Sequence, residues 1–233
     1  MAVFISIIAC ILGTGLGGAV AAFFGSKADK ALGVILSLAG GFITSLVFFE
    51  LMPESLQYGG IALFCAGAGS GIIALLLLNR ITSLRSGAMM ILAIGLHNVI
   101  TGFVIGATAG SDAALGVTLA FLIGIHNIPE GMAVSALFMS GGLNKLKSVA
   151  LALLAGAPIA FGAVIGSYAG SITGSALSVS LSIAGGAMLY VVFGEMLPQA
   201  MNLRKRLFPT VIFLSGVMLG LLLIKSHVLL EIV

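Results

Sequence analysis

Apolar runs, each close to the 20 or so residues that carry a helix across a hydrocarbon layer, follow one another along the chain with only short polar breaks. They predict eight spans, at roughly 2–24, 32–57, 60–78, 87–109, 113–140, 148–170, 177–200 and 208–230. Lipid gives the main chain no hydrogen-bond partners, so each run is expected to be a helix. The fold class that follows is all-α: a polytopic membrane protein with eight transmembrane helices, forming one domain over residues 1–233. The connections are too short for a further domain or a His-rich tract.

The polar breaks carry an orientation. Lys27 and Lys30 fall between spans 1 and 2, Arg80 and Arg85 between 3 and 4, Lys145 and Lys147 between 5 and 6, and Arg204, Lys205 and Arg206 between 7 and 8, which is nine of the ten basic residues. The other connections carry none, and one of them holds Asp112. The positive-inside rule therefore puts the four basic loops in the cytoplasm and both termini outside, in a multi-pass protein of the plasma membrane. Lys225 is the exception, placed to snorkel from the last span. Met1-Ala2-Val3-Phe4 lacks the basic start of a secretory signal, so the first run reads as a retained span.

With 60% hydrophobic and 7% charged residues and a mean hydropathy of +1.28, the chain cannot be a soluble domain. Its basic balance, without aromatic interleaving, does not suit nucleic acid, and the expected partner is the bilayer. Cys10 and Cys65 both lie in apolar runs, which argues against a disulfide framework and for buried thiols. The 33 glycines include small-residue rows at Gly13/Gly17, Gly67/Gly71, Gly162/Gly166/Gly170 and Gly216/Gly220. Such rows serve close helix packing within one chain or a contact between two copies.

Two internal matches set the architecture. Residues 37–55, from Ser37-Leu-Ala-Gly-Gly through Glu50-Leu-Met-Pro53-Glu54, align without gaps on residues 182–200, from Ser182-Ile-Ala-Gly-Gly through Glu195-Met-Leu-Pro198-Gln199, 145 positions later. Ile94-Gly-Leu-His97-Asn98 likewise matches Ile123-Gly-Ile-His126-Asn127, 29 positions later. Each match joins spans of opposite direction, so the expected design is an inverted repeat: spans 1 to 3 mirror 6 to 8, and spans 4 and 5 lie at the axis. Inverted repeats with polar breaks near the midplane mark alternating-access transporters.

The chemistry concentrates in His126-Asn127-Ile128-Pro129-Glu130-Gly131. On a helix His126 and Glu130 share a face, and Asn127 lies one step round. Pro129 has no N–H, which frees the carbonyl of Ile125. A carboxylate at membrane depth costs roughly 2.5–3.5 kcal/mol even on lenient scales, and a cation is its simplest compensation. His97 and Asn98 enter from the opposite side to a similar depth. Two imidazoles, a carboxylate and two carboxamides suit Zn²⁺, Fe²⁺, Co²⁺, Ni²⁺ or Mn²⁺ better than Ca²⁺ or Mg²⁺. For a single histidine the plainer reading is a hydrogen-bonded helix contact; the duplication of the His-Asn pair argues against it. Glu50 and Glu54 fall late in span 2 and Glu195 late in span 7, near opposite mouths, with Pro53 and Pro198 breaking the helices there and freeing the carbonyls of Phe49 and Gly194. They read as a cation path through the centre or, more plainly, as solvated carboxylates at the membrane edge. His227, Asp29, Asp112 and Glu231 read as interfacial.

Eight spans with the termini outside, His97-Asn98-x-x-x-Gly102, His126-Asn127-x-Pro-Glu130-Gly131, Glu50-x-x-Pro53-Glu54 and Glu195-x-x-Pro198 together resemble the ZIP family of divalent-metal transporters over essentially the whole chain. The resemblance implies metal uptake towards the cytoplasm, a 3+2+3 helix arrangement, a homodimer and an elevator-like motion. It assigns His97, Asn98, His126, Asn127 and Glu130 to the transport site and Glu195 to the cytoplasmic exit. Zn²⁺, or else Fe²⁺, Mn²⁺, Co²⁺ or Cd²⁺, is then cargo, and no cofactor is expected. Two positions depart from the family. Thr101 stands where members usually carry an acid, and Ile159 where many bacterial members carry Glu. One central carboxylate remains, which favours a single ion and a nitrogen-loving one such as Zn²⁺. An intramembrane metal-dependent hydrolase is the competing class, but a zincin helix needs His-Glu-x-x-His, and here Asn follows each His, leaving no general base. A metal sensor is a third reading, with no soluble part to relay its signal.

Overall fold

The computed structural model describes residues 2–25, 29–82, 86–111, 113–169, 173–203 and 207–230. Lys27, Arg85, Asp112, Gly170, Arg204, Lys205, Arg206 and Glu231 lie outside the described residues, as do the side chains of Asp29, Lys30, Lys225 and His227. Among the described residues every regular element is a helix: α1 (Ala2–Phe24), α2 (Asp29–Leu46), α3 (Met52–Thr82), α4 (Ser86–Ser111), α5 (Ala113–Ser140), α6 (Lys145–Gly156), α7 (Pro158–Ala169), α8 (Gly174–Val191), α9 (Leu197–Leu203) and α10 (Leu207–Leu230). Seven continuous stretches are long and apolar enough to cross a membrane. One of them, Ala31–Ile81, has 51 residues, about 75 Å of helix at 1.5 Å per residue and more than twice the hydrocarbon thickness. It is broken at Gly60, whose φ of 69° only glycine adopts without strain. The break falls where the apolar pattern separates spans 2 and 3.

Proline accounts for the remaining irregularities. Pro158, with no N–H and a ring that crowds the preceding turn, divides α6 from α7. Just before Pro53 and Pro198 the helix widens into two π-helical turns, Val47–Leu51 and Val192–Met196, which hold Glu50 and Glu195. Widening moves the carbonyl that would strike the proline ring onto a longer hydrogen-bond register, and such turns recur at functional positions. Met52 N–H thus bonds Val47 O, and Leu197 N–H bonds Val192 O. Pro129, by contrast, sits inside an uninterrupted α5. After α5 the chain reverses at Gly142 (φ 87°), and Asn144 caps α6 by accepting from Lys147 N at 2.9 Å.

Four helix pairs run against each other along their lengths: α1 with α5, α4 with α7, α3 with α8, and α2 with α10. In all four the backbones touch. A Cβ on Gly131 would overlap the carbonyl of Thr14, and one on Gly102 that of Ile159; Gly17 meets Ile128 and Gly162 meets Val99; Gly41 meets Phe213 and Gly186 meets Ala68; Gly71 meets Ile183 and Gly216 meets Leu38. The described glycines of those rows all pack inside one chain, which favours the first of the two uses left open by the sequence. The further contacts α1·α6, α4·α5 and α5·α6 tie α1, α4, α5, α6 and α7 into one group, while α2, α3, α8 and α10 form a second. The groups meet mainly through α2·α5 and α4·α8, and none of these glycine–carbonyl overlaps falls there.

One expectation needs correcting. Both cysteines are free, but only Cys10 is buried; Cys65 is exposed on α3. In a membrane protein an apolar residue has two apolar destinations, the packed interior and lipid, and hydropathy does not choose between them.

Candidate metal centre

The duplicated motif brings its ionisable groups together. His97 on α4 and His126 on α5 stack with ring centroids 5.6 Å apart and planes within 6° of parallel. Glu130, one turn beyond His126, places Oε1 3.8 Å from Nε2 of each imidazole. All three residues are buried, and one donor atom from each lies within 4.8 Å of the others. Neither oxygen of Glu130 accepts a hydrogen bond. A buried carboxylate with no donor is costly, and a cation about 2.0–2.2 Å from all three ligand atoms would relieve it after a small contraction of the cluster. The donor set, two imidazoles and a carboxylate, is that of a divalent transition-metal site.

Other predicted residues divide into three cases. Asn98 and Asn127 are buried beside the histidines, but their amide nitrogens point to neighbouring helices, Asn98 Nδ2 donating to Ala155 O at 2.9 Å and Asn127 Nδ2 to Cys10 O at 3.2 Å. Their Oδ1 atoms accept no hydrogen bond, so each side chain combines a helix tie with a spare oxygen. Glu50 and Glu54 line a cavity of about 380 Å³ that reaches His97, His126 and Thr101, and Glu50 Oε2 lies 4.0 Å from His126 Nδ1. Glu195 is not brought to the centre: its Oε1 accepts from Asn79 Nδ2 at 3.3 Å, and the same amide donates to the Tyr190 hydroxyl at 3.0 Å. Met89, Met90, Ile94, Val134 and Met188, in the halves of α4, α5 and α8 nearer to Glu195, are fully buried.

Thr101 puts a hydroxyl at the centre, its Oγ1 3.2 Å from His97 Nε2 and 3.0 Å from His97 O. Ile159 is fully buried and adds only hydrocarbon. Asn79 and Tyr190 were not singled out by the sequence. Asn79 stands one position past the predicted end of span 3, and a tyrosine in an apolar run signals a polar partner without naming it.

A family model described as ZIP Zinc transporter matches residues 78–225. The chain belongs to this family. Zinc transporter GufA of Myxococcus xanthus is 35% identical over 120 residues, 51% of this chain and 47% of that protein, so the match spans about half of GufA. Zinc transporter ZupT of Akkermansia muciniphila is 27% identical over 231 aligned positions, 81% of this chain and 84% of that one. The matched region holds His97, His126, Glu130 and Glu195 and leaves Glu50 and Glu54 before its start. ZIP members are transporters rather than enzymes, and the hydrolase reading of the same histidines falls away.

Proposed function

We propose that this protein carries a divalent transition metal, most readily Zn²⁺, across the plasma membrane towards the cytoplasm by alternating access, with His97, His126 and Glu130 holding one ion at the centre. The observation that carries this reading is the convergence of three buried donors on a carboxylate that accepts no hydrogen bond. The names of the two relatives, both zinc transporters, favour zinc as the cargo. Asn98, Asn127, the carbonyl of Ile125 or water complete the shell. The three ligands carry one negative charge, so a dication leaves this ligand set near +1, with Glu50 behind His126 as the next carboxylate, and a second ion among the same three ligands would meet repulsion.

The architecture of the proposal is eight passes in a 3+2+3 inverted repeat, with Gly60 turning span 2 into span 3. The glycine seams support it, because they recur at the repeat's own displacements. Moving the Gly131/Thr14 contact back by 29 and on by 145 positions gives Gly102/Ile159; Gly41/Phe213 and Ala68/Gly186 are likewise related by 145, and so are Gly71/Ile183 and Leu38/Gly216. Asn127 to Cys10 and Asn98 to Ala155 follow the same rule. The two helix groups suit an elevator-like motion: seams with touching backbones resist shear, and the boundary free of those overlaps permits it. The cavity joins the centre to the Glu50/Glu54 end, extracytoplasmic in the orientation given by the basic loops, so this is the outward-open state. Glu50 and Glu54 gather cations there, and Glu195 receives them at the cytoplasmic end. Since the glycine rows are engaged within the chain, pairing into a homodimer falls to other faces.

The test is metal flux into liposomes containing only this protein, across Zn²⁺, Fe²⁺, Mn²⁺, Co²⁺ and Cd²⁺. Uptake is expected to be greatest for Zn²⁺ and to fall to the level of protein-free liposomes in His126→Ala and Glu130→Ala, with both variants folded. Wild-type flux in either variant would make the cluster structural.

A further inference from the structure

At the metal centre the contacts that relate the two halves fail, and the failure there is chemically specific. His126 stands between two carboxylates, with Nε2 towards Glu130 at 3.8 Å and Nδ1 towards Glu50 at 4.0 Å. Metal-binding histidines are commonly oriented in this way, one ring nitrogen for the ion and the other N–H for a carboxylate behind it. The displacements of 29 and 145 positions convert His126 and Glu50 into His97 and Glu195. His97 also turns Nε2 towards Glu130, at 3.8 Å, yet its Nδ1 is buried without a hydrogen-bond partner. The carboxylate that the repeat would supply is held elsewhere, by Asn79. The holder has no counterpart in the other half, where the positions equivalent to Asn79 and Tyr190 are Ile224 and Ser45.

We propose that Glu50 and Glu195 are alternating positioning residues: Glu50 orients His126 in this state, and in the opposite state Glu195 leaves Asn79 and orients His97 through its Nδ1. This rests on the transporter reading above and extends it to residues outside the central three. Buried polar atoms demand partners, so an imidazole nitrogen left bare in one state favours the movement that covers it. Glu50 lies in the π turn before α3 and His126 on α5, so their approach spans the boundary between the two helix groups, as that of Glu195 and His97 would. A shift along that boundary separates one pair as it closes the other. Each state then gives one histidine its carboxylate, strengthening that ligand towards the open side. Asn79 keeps Glu195 from entering early, and Tyr190 fixes the amide by accepting its other hydrogen.

The experiment uses the full chain with Cys10→Ala and Cys65→Ser, so that introduced thiols are the only ones. One variant adds Glu50→Cys and His126→Cys, a second adds Glu195→Cys and His97→Cys, and Hg²⁺ is the bridging probe. A separate Val134→Cys variant reports the opposite state through labelling by an impermeant thiol reagent from the cytoplasmic side, since Val134 is fully buried here. Both pairs are expected to bridge, and bridging the first pair is expected to abolish Val134→Cys labelling when the three are combined. Asn79→Leu is expected to raise that labelling, and unchanged labelling would remove Asn79 from the account. Labelling of Val134→Cys without any bridge between residues 97 and 195 overturns the proposal and leaves transport standing. Absence of labelling under every condition overturns alternating access itself, and this proposal with it.

Discussion

Asn127 donates its side-chain amide to the main-chain oxygen of Cys10 at 3.2 Å, so the residue beside a metal-site histidine also ties α5 to α1. Asn127→Ala is expected to lose this tie, about 1 kcal/mol. Asn127→Asp keeps an oxygen but sets it against the carbonyl, and is expected to be the less stable of the two. Thermal unfolding in detergent measures both. An Asp variant as stable as the wild type would mean that the amide nitrogen is not the group at Cys10.

Glu130 is the one carboxylate among the three buried donors, and the hydroxyl of Thr101 stands 3.2 Å from a ring nitrogen of His97. A carboxylate introduced as Thr101→Glu reaches the same volume. Equilibrium metal counting should find one tightly held ion per chain in the wild type. The variant should bind more tightly, admit a second ion and release more slowly. Two central ions in the wild type would contradict the charge argument.

The orientation can be read from the start of α6. Leu146 is 82% exposed between two exposed lysines. In cells, Leu146→Cys is expected to be protected from an impermeant thiol reagent applied outside and to react once the membrane is permeabilised. Rapid labelling from outside would invert the topology.

Backbone contact at the seams makes some glycines irreplaceable and leaves others neutral. Gly131→Ala drives a methyl into the Thr14 carbonyl and is expected to cost about 1–3 kcal/mol, separating α1 from α5. Gly69 on α3 has nothing within 4 Å of an added Cβ, so Gly69→Ala should be neutral or slightly stabilising. Melting temperatures of the two variants, compared with the wild type, test the packing.

Much of the helix pattern was legible because crossing lipid fixes run length, and the observed limits fall within a few residues of the predicted ones. The central trio was legible too, since two His-Asn pairs at membrane depth are costly to keep unless they converge on a shared ligand. What escaped depended on direction rather than identity. Asn98 and Asn127 advertise polarity, but a step of about 100° from each histidine turns them towards neighbouring helices, and only the packed structure reveals those carbonyls. Cys65 escaped because lipid and core look alike to hydropathy. The Glu-x-x-Pro pairs announced a break; whether a proline kinks, ends or widens a helix depends on the packing around it, and Pro129, Pro158 and Pro198 have different outcomes.

The two π turns place a constraint on how this chain can vary. A π turn holds one residue more than an α turn of the same rise. Loss of a single residue within Val47–Leu51 would therefore leave enough chain for an ordinary helix, with Met52 and all that follows still in register. The residues left in the turn would be redistributed round the axis, Glu50 by about 30–70° depending on which neighbour is lost, and out of its place beside His126. The acid at each end is thus held in place by the count of residues as much as by their kinds, so deletion of any one of its neighbours in the turn would leave a folded protein with its carboxylate misdirected.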